Sequence, residues 1–210
     1  MNETNVIDWD GFAAQTAQAK PFPHVIMPAF VRPAALPDIL RDFPKIKGGG
    51  SYPLDHVQGG PGFKALIEDL KSETMREHCA RLFAIDLADR PITLTVRGHT
   101  RDKDGQIHAD SKDKLITVLL YLNEGDWQSQ GGRLRLLHSA DDMDDYAVEA
   151  PPTGGTLVAF LNGPTAYHGH KPFSGPRQSI QLNWVTDRRA VAKSRWRHKL
   201  SAWLKGRWGS

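Results

Sequence analysis

Short apolar runs separated by turn residues make up the second half of the chain. β-Branched and other apolar residues dominate five runs, which are ITLTV (92–96), LITVLLYL (115–122), GRLRLL (132–137), GTLVAFL (155–161) and SIQLNWV (179–185). Gly, Asp and Pro occur between them. Several short strands joined by such turns are typical of an antiparallel sandwich or barrel. The pattern therefore predicts a mainly β fold with flanking helices.

The N-terminal part of the chain has a mixed pattern. The run PFPHVIMPAF (21–30) is punctuated by prolines and predicts an extended segment, and PAALPDILRDF (33–43) predicts a short helix. Residues 44–62 are rich in Gly and Pro, which predicts a mobile connection. A helix is expected over residues 63–83, because its apolar residues begin at the spacing i, i+3, i+4, i+7. These residues are Phe63, Leu66, Ile67 and Leu70.

Charge divides the chain into two unequal parts. The 210 residues include 27 Lys and Arg and 24 Asp and Glu, and every acidic residue lies at or before Asp187. Residues 1–187 carry 19 of the basic residues, a net charge of 19 − 24 = −5, whereas residues 188–210 carry eight basic residues. An acidic body argues against a nucleic-acid-binding protein. We predict one domain over 1–187, with its β core at about 91–186, followed by a basic helix over 188–210.

The basic C-terminal segment is predicted to be an amphipathic helix, because its large apolar residues share one face. They are Trp196, Leu200, Trp203 and Leu204. Such a helix can dock on the acidic body, lie on an anionic membrane surface or contact nucleic acid, and we expect docking first and nucleic acid last. A single cysteine, Cys79, and an acidic N-terminus without a signal-peptide pattern predict a cytoplasmic location, with peripheral membrane contact left open. The oligomeric state also stays open.

The segment GQIHAD (105–110) is the first candidate for chemistry. On an extended backbone His108 and Asp110 point to the same side, so an imidazole and a carboxylate can take adjacent positions of one metal. A histidine from a neighbouring strand would complete the set of two His and one carboxylate that binds non-haem Fe(II). H-x-D alone is a weak pattern that is more often structural.

A second polar pattern follows in the last strand. Four polar residues alternate with largely apolar ones and share one face, and they are Arg177, Ser179, Gln181 and Asn183. Exposure to solvent is the ordinary explanation for such a face. An arginine and a hydroxyl beside a metal-binding histidine would instead form an anchor for a dicarboxylate, because a guanidinium pairs bidentately with a carboxylate.

Taken in order, these motifs resemble the Fe(II)/2-oxoglutarate-dependent oxygenases, especially their prolyl-hydroxylase-like branch. The resemblance rests on H-x-D at 108–110, YLN at 121–123, W…GG-x-L-R from Trp127 to Arg135, and H-x8-R-x-S at 168–179. It covers roughly residues 92–185. It implies a double-stranded β-helix, or jelly roll, backed by N-terminal helices. It also implies a dioxygenase that uses Fe(II), 2-oxoglutarate and O2.

The resemblance implies roles for individual residues. The implied Fe(II) ligands are His108, Asp110 and His168. The implied contacts of 2-oxoglutarate are Arg177, Ser179 and Gln181. His170 is the rival third ligand, but the spacing of His168 to Arg177 fits the family better, so His170 is expected beside the metal or the substrate. The implied reaction hydroxylates an unactivated C–H of a peptide residue or a small metabolite and releases succinate and CO2.

The substrate side is less defined by the sequence. Candidate substrate contacts are Arg97, Arg135, His170 and Asn183. For the two arginines, exposure on the surface is the ordinary expectation. Relatives often carry a tyrosine just before the YLN run, where this chain has Leu120, so the cosubstrate anchor is expected to depend more on Arg177. Two other functions stay open: a jelly-roll module that binds without catalysis, and a cupin-type metal enzyme that does not use 2-oxoglutarate.

Overall fold

The structure is a computed structural model that describes residues 6–193. Its helices are α1 (Trp9–Ala13), α2 (Leu36–Arg41), α3 (Pro61–Lys71) and α4 (Glu73–Phe83), with a 3-10 turn at Leu54–His56. Its strands are β1 (His24–Met27), β2 (Tyr52–Pro53), β3 (Ile92–Thr100), β4 (Lys114–Tyr121), β5 (Leu134–Leu137), β6 (Tyr146–Ala150), β7 (Leu157–Leu161), β8 (His168–Gly169) and β9 (Gly175–Val185). The prediction of a mainly β fold with flanking helices is confirmed.

A six-stranded antiparallel sheet forms the centre of the fold, in the order β1-β7-β4-β9-β3-β2. Because β9 lies between β4 and β3, residues of these three strands form rows across the sheet. The rows are Tyr121-Ser179-Arg97, Leu119-Gln181-Thr95 and Thr117-Asn183-Thr93. Residues two apart on a strand share a face, so all three rows face the same side. This side is the polar face of the major sheet.

The opposite face of the major sheet is apolar and is covered by the helices. The buried residues of β4 and β9 on this face are Ile116, Val118, Leu120, Ile180, Leu182 and Trp184. They belong to one core with helical residues such as Phe12, Ile39 and Leu66. Burial of one such side chain stabilises the fold by about 1.5–3 kcal/mol. The helices therefore support the sheet from behind and leave its polar face for ligands.

A second sheet, in the order β6-β5-β8, packs against the polar side of the major sheet. Leu134 and Leu136 of β5 share an apolar cluster with Val158 and Phe160 of β7. β8 joins this sheet where His168 lies opposite Leu136. Two facing antiparallel sheets of this kind form the double-stranded β-helix that the sequence predicts. The polar face of the major sheet and strand β8 of the second sheet therefore face the same space between the two sheets.

Two N-terminal predictions differ from the structure. The expected helix over 63–83 is broken at Ser72, whose backbone is extended and whose hydroxyl accepts a hydrogen bond from the Met75 N–H at 3.2 Å. A serine in this position caps the start of a new helix. The segment 44–62 is also more than a mobile connection, because β2 pairs with β3 and Gly49 bridges to His99.

The C-terminal helix begins directly after the predicted boundary. Residues 188–193 are helical, the Asp187 carboxylate accepts a hydrogen bond from the Ala190 N–H at 2.9 Å, and Lys193 forms an ion pair with Asp113 at 2.7 Å. The predicted apolar face from 196 to 204 lies outside the described residues, so the role of this helix stays a prediction. None of the described helices is long and apolar enough to cross a membrane.

Candidate active site

A backbone bridge brings His108 next to His168. His108 lies in the loop between β3 and β4, and His168 begins β8. The His108 N–H donates to the His168 carbonyl at 3.1 Å, and the His168 N–H donates to the His108 carbonyl at 2.9 Å. The two ring centroids are 4.4 Å apart. A short loop segment and the shortest strand of the second sheet therefore hold both imidazoles side by side.

Asp110 completes a compact group with the two histidines. One ligand atom from each of His108, Asp110 and His168 lies within 4.8 Å of the others. The Asp110 carboxylate accepts hydrogen bonds from the Lys114 ammonium and the Thr117 hydroxyl, each at 2.6 Å. Within residues 6–193, this is the group of His, Cys, Asp and Glu that could hold a metal, and the rival His170 is not part of it.

The two imidazoles are oriented as metal ligands require. Nδ1 of His108 lies 2.9 Å from the Gln106 carbonyl, and Nδ1 of His168 lies 3.0 Å from the Ala166 carbonyl. A carbonyl only accepts hydrogen bonds, so each Nδ1 carries the proton and donates it. The lone pair of each Nε2 is then left for a metal.

The charge states of the group also fit a divalent metal. Burial, together with the nearby His108, lowers the pKa of His168 to about 4, so its imidazole is neutral at pH 7. Burial alone would raise the pKa of Asp110, but Lys114, His168 and the hydrogen bond from Thr117 bring it below its usual value. Two imidazoles and one carboxylate form the donor set that non-haem Fe(II) prefers.

The candidate ligands open into a cavity of about 250 Å³ on the polar face of the major sheet. The sheet contributes Thr95, Arg97, Thr117, Leu119, Tyr121, Arg177, Ser179 and Gln181 to its lining. A wider cavity of about 470 Å³ adjoins it and shares several of its lining residues. The shared residues are Ser51, Thr95, His108, Asp110, Lys114 and Gln181. The polar face of β9 thus lines a cavity and is not a solvated surface.

Arg177 is buried in the smaller cavity, with 6% of its surface exposed. Its Nε donates to the Gly132 carbonyl at 2.7 Å, and its Nη2 donates to the Tyr121 hydroxyl at 3.2 Å. Both partners are neutral. A buried cation is costly unless an anion accompanies it, and a guanidinium binds carboxylates through paired hydrogen bonds. Arg177, with Ser179 beside it, therefore fits one carboxylate of 2-oxoglutarate.

The sequence motifs do not single out Tyr121 as a site residue, although it contacts the arginine anchor. Alternation along β4 places Tyr121 on the polar face with Leu119, whereas Leu120 packs in the core beneath the helices. The tyrosine expected just before the YLN run is therefore provided by the first residue of the run itself. The pattern that could have identified it was the two-residue period of β4.

Three of the four candidate substrate contacts lie on the cavity walls. Arg97 and His170 line the smaller cavity, and Asn183 lines the wider one. Burial and the nearby Arg177 lower the pKa of His170 to about 4. Its ring packs against Gly105, whose φ is +84° and where any Cβ would overlap the imidazole. His170 therefore contributes a neutral ring to the wall of the cavity.

Arg135 is in neither of the places expected for it. The alternation of β5 turns Leu134 and Leu136 inward and Arg135 to the other face, where its Nε donates to Glu149 at 2.6 Å and its Nη1 to Asp144 at 2.5 Å. With 7% exposure it is buried by this ion-pair network rather than solvated. The structure therefore removes Arg135 from the candidate substrate contacts.

Comparison with known families agrees with this geometry. Residues 95–186 match the 2OG-Fe(II) oxygenase superfamily. Over this segment the chain is similar to the 2OG-Fe(II) oxygenases. The matched segment contains the His108, Asp110 and His168 group and the arginine anchor Arg177. The oxygenase is thus a 2-oxoglutarate-dependent dioxygenase, and its family implies Fe(II), 2-oxoglutarate and O2.

The oxygenase shares its fold with several solved structures of low sequence identity. A Pseudomonas putida prolyl-4-hydroxylase has a TM-score of 0.57 and 17% identity, over 85% of this chain and 92% of that chain. The viral collagen prolyl hydroxylase of Paramecium Bursaria Chlorella virus-1, in complex with 2OG, has a TM-score of 0.51 and 14% identity, over 78% and 96%. A Burkholderia pseudomallei oxidoreductase of the 2OG-Fe(II) oxygenase family has a TM-score of 0.52 and 14% identity, over 84% of this chain and 90% of that chain. Among curated proteins, none matches the chain in sequence.

Proposed function

We propose that the oxygenase hydroxylates an unactivated C–H of a peptide residue or a small metabolite. In the proposed reaction 2-oxoglutarate and O2 become succinate and CO2, and one oxygen atom enters the substrate. One observation carries the proposal: the His108, Asp110 and His168 group faces the same cavity as Arg177. Arg177 is buried, and the groups that accept its hydrogen bonds are uncharged. A metal group and a carboxylate anchor in one cavity suit a dicarboxylate that binds both.

The residues of the chain would position these groups. Fe(II) and 2-oxoglutarate, when bound, supply the oxidising chemistry. His108 and His168 would bind the metal through Nε2, and Asp110 through its carboxylate, which the hydrogen bonds from Lys114 and Thr117 keep in one orientation. The two sheets around the cavity would limit the access of water to the reacting groups.

The structural neighbours support a peptide residue as one candidate substrate, since two of them are prolyl hydroxylases. The wider cavity of about 470 Å³ is lined by His108 and Asp110 but not by Arg177. A substrate could therefore approach the candidate metal ligands through this cavity without passing the arginine anchor. A small metabolite would fit the same route. The substrate would then lie beside the metal ligands, while the cosubstrate occupies the Arg177 side of the smaller cavity.

Measurement of succinate tests the proposed reaction. Wild-type protein with Fe(II), 2-oxoglutarate and O2 is expected to form succinate, and His108→Ala is expected to abolish this, while the exposed His138→Ala serves as the control. Succinate formation that persists without iron would contradict the proposal. A cupin-type enzyme would keep its activity in Arg177→Ala, and a binding module without catalysis would form no succinate at all.

A further inference from the structure

The charged side chains that line the candidate active site are mostly cationic. Arg97, Lys114 and Arg177 face the smaller cavity, and Asp110 is the carboxylate among its lining residues. A divalent metal would add two positive charges, and 2-oxoglutarate would bring two negative ones. The formal sum with both bound is about +2, so the loaded site would still attract an anion. Of the cationic side chains, Arg177 is the proposed cosubstrate anchor and Lys114 is paired with Asp110, which leaves Arg97 as the candidate for binding this anion.

Arg97 lies on the β3 flank of the cavity, one strand from the anchor Arg177 on β9 and two strands from Tyr121 on β4. The row Tyr121-Ser179-Arg97 crosses β4, β9 and β3, and neighbouring strands are about 4.8 Å apart, so the backbones of Tyr121 and Arg97 are about 10 Å apart. Arg177 is directed toward the β4 side, since it donates to the Tyr121 hydroxyl. Arg97 therefore brings a second guanidinium into the cavity, from the other side of β9 from Tyr121.

The partners of Arg97 leave positive charge at this flank. Arg97 donates to the Asp104 carboxylate at 3.1 Å and to the Ser51 hydroxyl at 3.2 Å. Asp104 also accepts from the Arg101 guanidinium at 2.9 Å, so one carboxylate serves two guanidinium groups. Two hydrogen bonds use only part of the five N–H donors of a guanidinium. Ser51 lines both cavities and connects Arg97 with the wider one.

The wider cavity has walls suited to a small polar molecule. Hydroxyl and amide groups predominate, and the residues that carry them are Ser51, Thr93, Thr95, Ser111, Gln181 and Asn183. Its charged lining residues are Asp110 and Lys114, and its lining residues include no Phe, Tyr or Trp. These walls offer hydrogen bonds and little apolar surface.

We propose that Arg97 binds a carboxylate of the substrate and that the substrate is a small carboxylic acid. This inference rests on the proposed function and names the substrate class for it. The carboxylate would lie on the β3 flank, the polar groups of the molecule along the threonines of β3, and the reacting C–H toward the metal ligands. A substrate that presents a neutral amide at this position would gain no charge pairing from Arg97.

Binding without turnover tests the assignment. Protein loaded with Fe(II) and saturating 2-oxoglutarate, in the absence of O2, is titrated with free L-amino acids and 2-hydroxy acids, each beside its own carboxamide. Calorimetry is expected to find at least one acid that binds tenfold or more tightly than its amide. Arg97→Gln should abolish this preference and Arg97→Lys should retain part of it. Arg81→Gln, which removes an exposed guanidinium of α4 outside both cavity linings, should leave it unchanged.

Several results would overturn the inference. These are equal binding of acid and amide to the wild type, binding of neither, and a preference that survives in Arg97→Gln. Loss of 2-oxoglutarate affinity in Arg97→Gln would also overturn it, because Arg97 would then serve the cosubstrate. Failure of the wild type to bind 2-oxoglutarate with Fe(II) would instead contradict the proposed function, so the two failures are distinguishable.

Discussion

The guanidinium of Arg177 is buried, yet the groups that accept its hydrogen bonds are a carbonyl and a hydroxyl. A structural arginine at this depth would be expected to pair with a carboxylate of the protein, as Arg135 does with Glu149. The difference between the two arginines distinguishes an anchor for a ligand from a structural ion pair. We therefore expect cosubstrate binding to depend most on Arg177.

Replacement of Arg177 should weaken 2-oxoglutarate binding specifically. Loss of one partner of a buried charge pair costs about 2–5 kcal/mol, which is roughly a 30- to 5,000-fold loss of affinity. We expect this loss in Arg177→Met, measured by calorimetry with Fe(II) and without O2. Gln178→Met changes the opposite face of the same strand and should bind as the wild type does. Equal affinity in both variants would exclude Arg177 as the anchor.

The two buried histidines of the site should make the metal-free protein sensitive to acid. The pKa of His168 and of His170 falls to about 4 in the fold, against an ordinary 6.5. Below pH 6.5 the unfolded chain binds more protons than the folded one, so stability falls as the pH drops toward 4. Each histidine contributes up to about 1.4 kcal/mol per pH unit. Urea unfolding from pH 7 to 4.5 should show this slope, and His170→Gln should reduce it; an unchanged slope would argue against burial as the cause.

At the residue scale, the motifs of the sequence identify those residues whose chemistry and spacing are both unusual. His108, Asp110 and His168 form one group in the structure, as the family resemblance of the sequence implies. Tyr121 and Lys114 are not identified, because their roles depend on which neighbours the register of β4 provides. Register is set by pairing between distant strands, which a local pattern does not contain.

At the scale of elements, the loop between β3 and β4 positions the candidate metal ligands His108 and Asp110. The His170 N–H donates to the Gly105 carbonyl at 2.8 Å, and the His108–His168 bridge follows along the same segment. Gly105 has a φ of +84° and lies against the His170 ring, so the loop depends on a residue without a side chain here. The position of His108, three residues further along the loop, therefore depends on the close packing of Gly105 against His170.

A substitution at Gly105 should therefore damage the metal site as well as the fold. Gly125 offers a matched control, since its φ is +65° and nothing lies within 4 Å of an added Cβ. Gly125→Ala should cost only the backbone strain, about 1–2 kcal/mol, and bind metal normally. Gly105→Ala should cost more and also reduce metal affinity, measured by denaturation and by titration with Fe(II) without O2. Equal effects of the two variants would show that the fit against His170 is unimportant.

The strands of the core were more predictable than the breaks between elements. Alternation of apolar and polar residues over 179–185 indicates β9, and the structure extends this strand to Gly175–Val185. β8 has only two residues and exists because β5 lies beside it, so no local pattern indicates it. The break at Ser72 likewise interrupts a continuous apolar pattern, because a capping serine and a solvated helical serine look alike in sequence.

For the molecule as a whole, the division of charge coincides with the end of the last core strand. β9 ends at Val185, the last acidic residue is Asp187, and the basic segment begins in helix at 188. Within the described residues this helix contacts the body through the Lys193–Asp113 ion pair. An exposed pair of this kind contributes only about 0–1 kcal/mol. The location in the cytoplasm and any contact with a membrane stay predictions.

Truncation after Arg188 should separate the two parts of the molecule. The site residues all precede the cut, so succinate formation should be unchanged. Loss of the Lys193–Asp113 pair and of buried Ala190 should lower stability slightly, and a loss of about 1 kcal/mol corresponds to a Tm lower by about 2–4 °C. Thermal unfolding and a succinate assay measure both effects. A truncated protein that folds but has lost its activity would show that the helix belongs to the catalytic unit.

A crystal structure with Fe(II) and 2-oxoglutarate, obtained without O2, tests the central claim most directly. It should show the metal bound by Nε2 of His108, the carboxylate of Asp110 and Nε2 of His168, with one end of 2-oxoglutarate on the metal and its distal carboxylate on Arg177. A metal bound by other residues, or 2-oxoglutarate bound away from Arg177, would contradict the account.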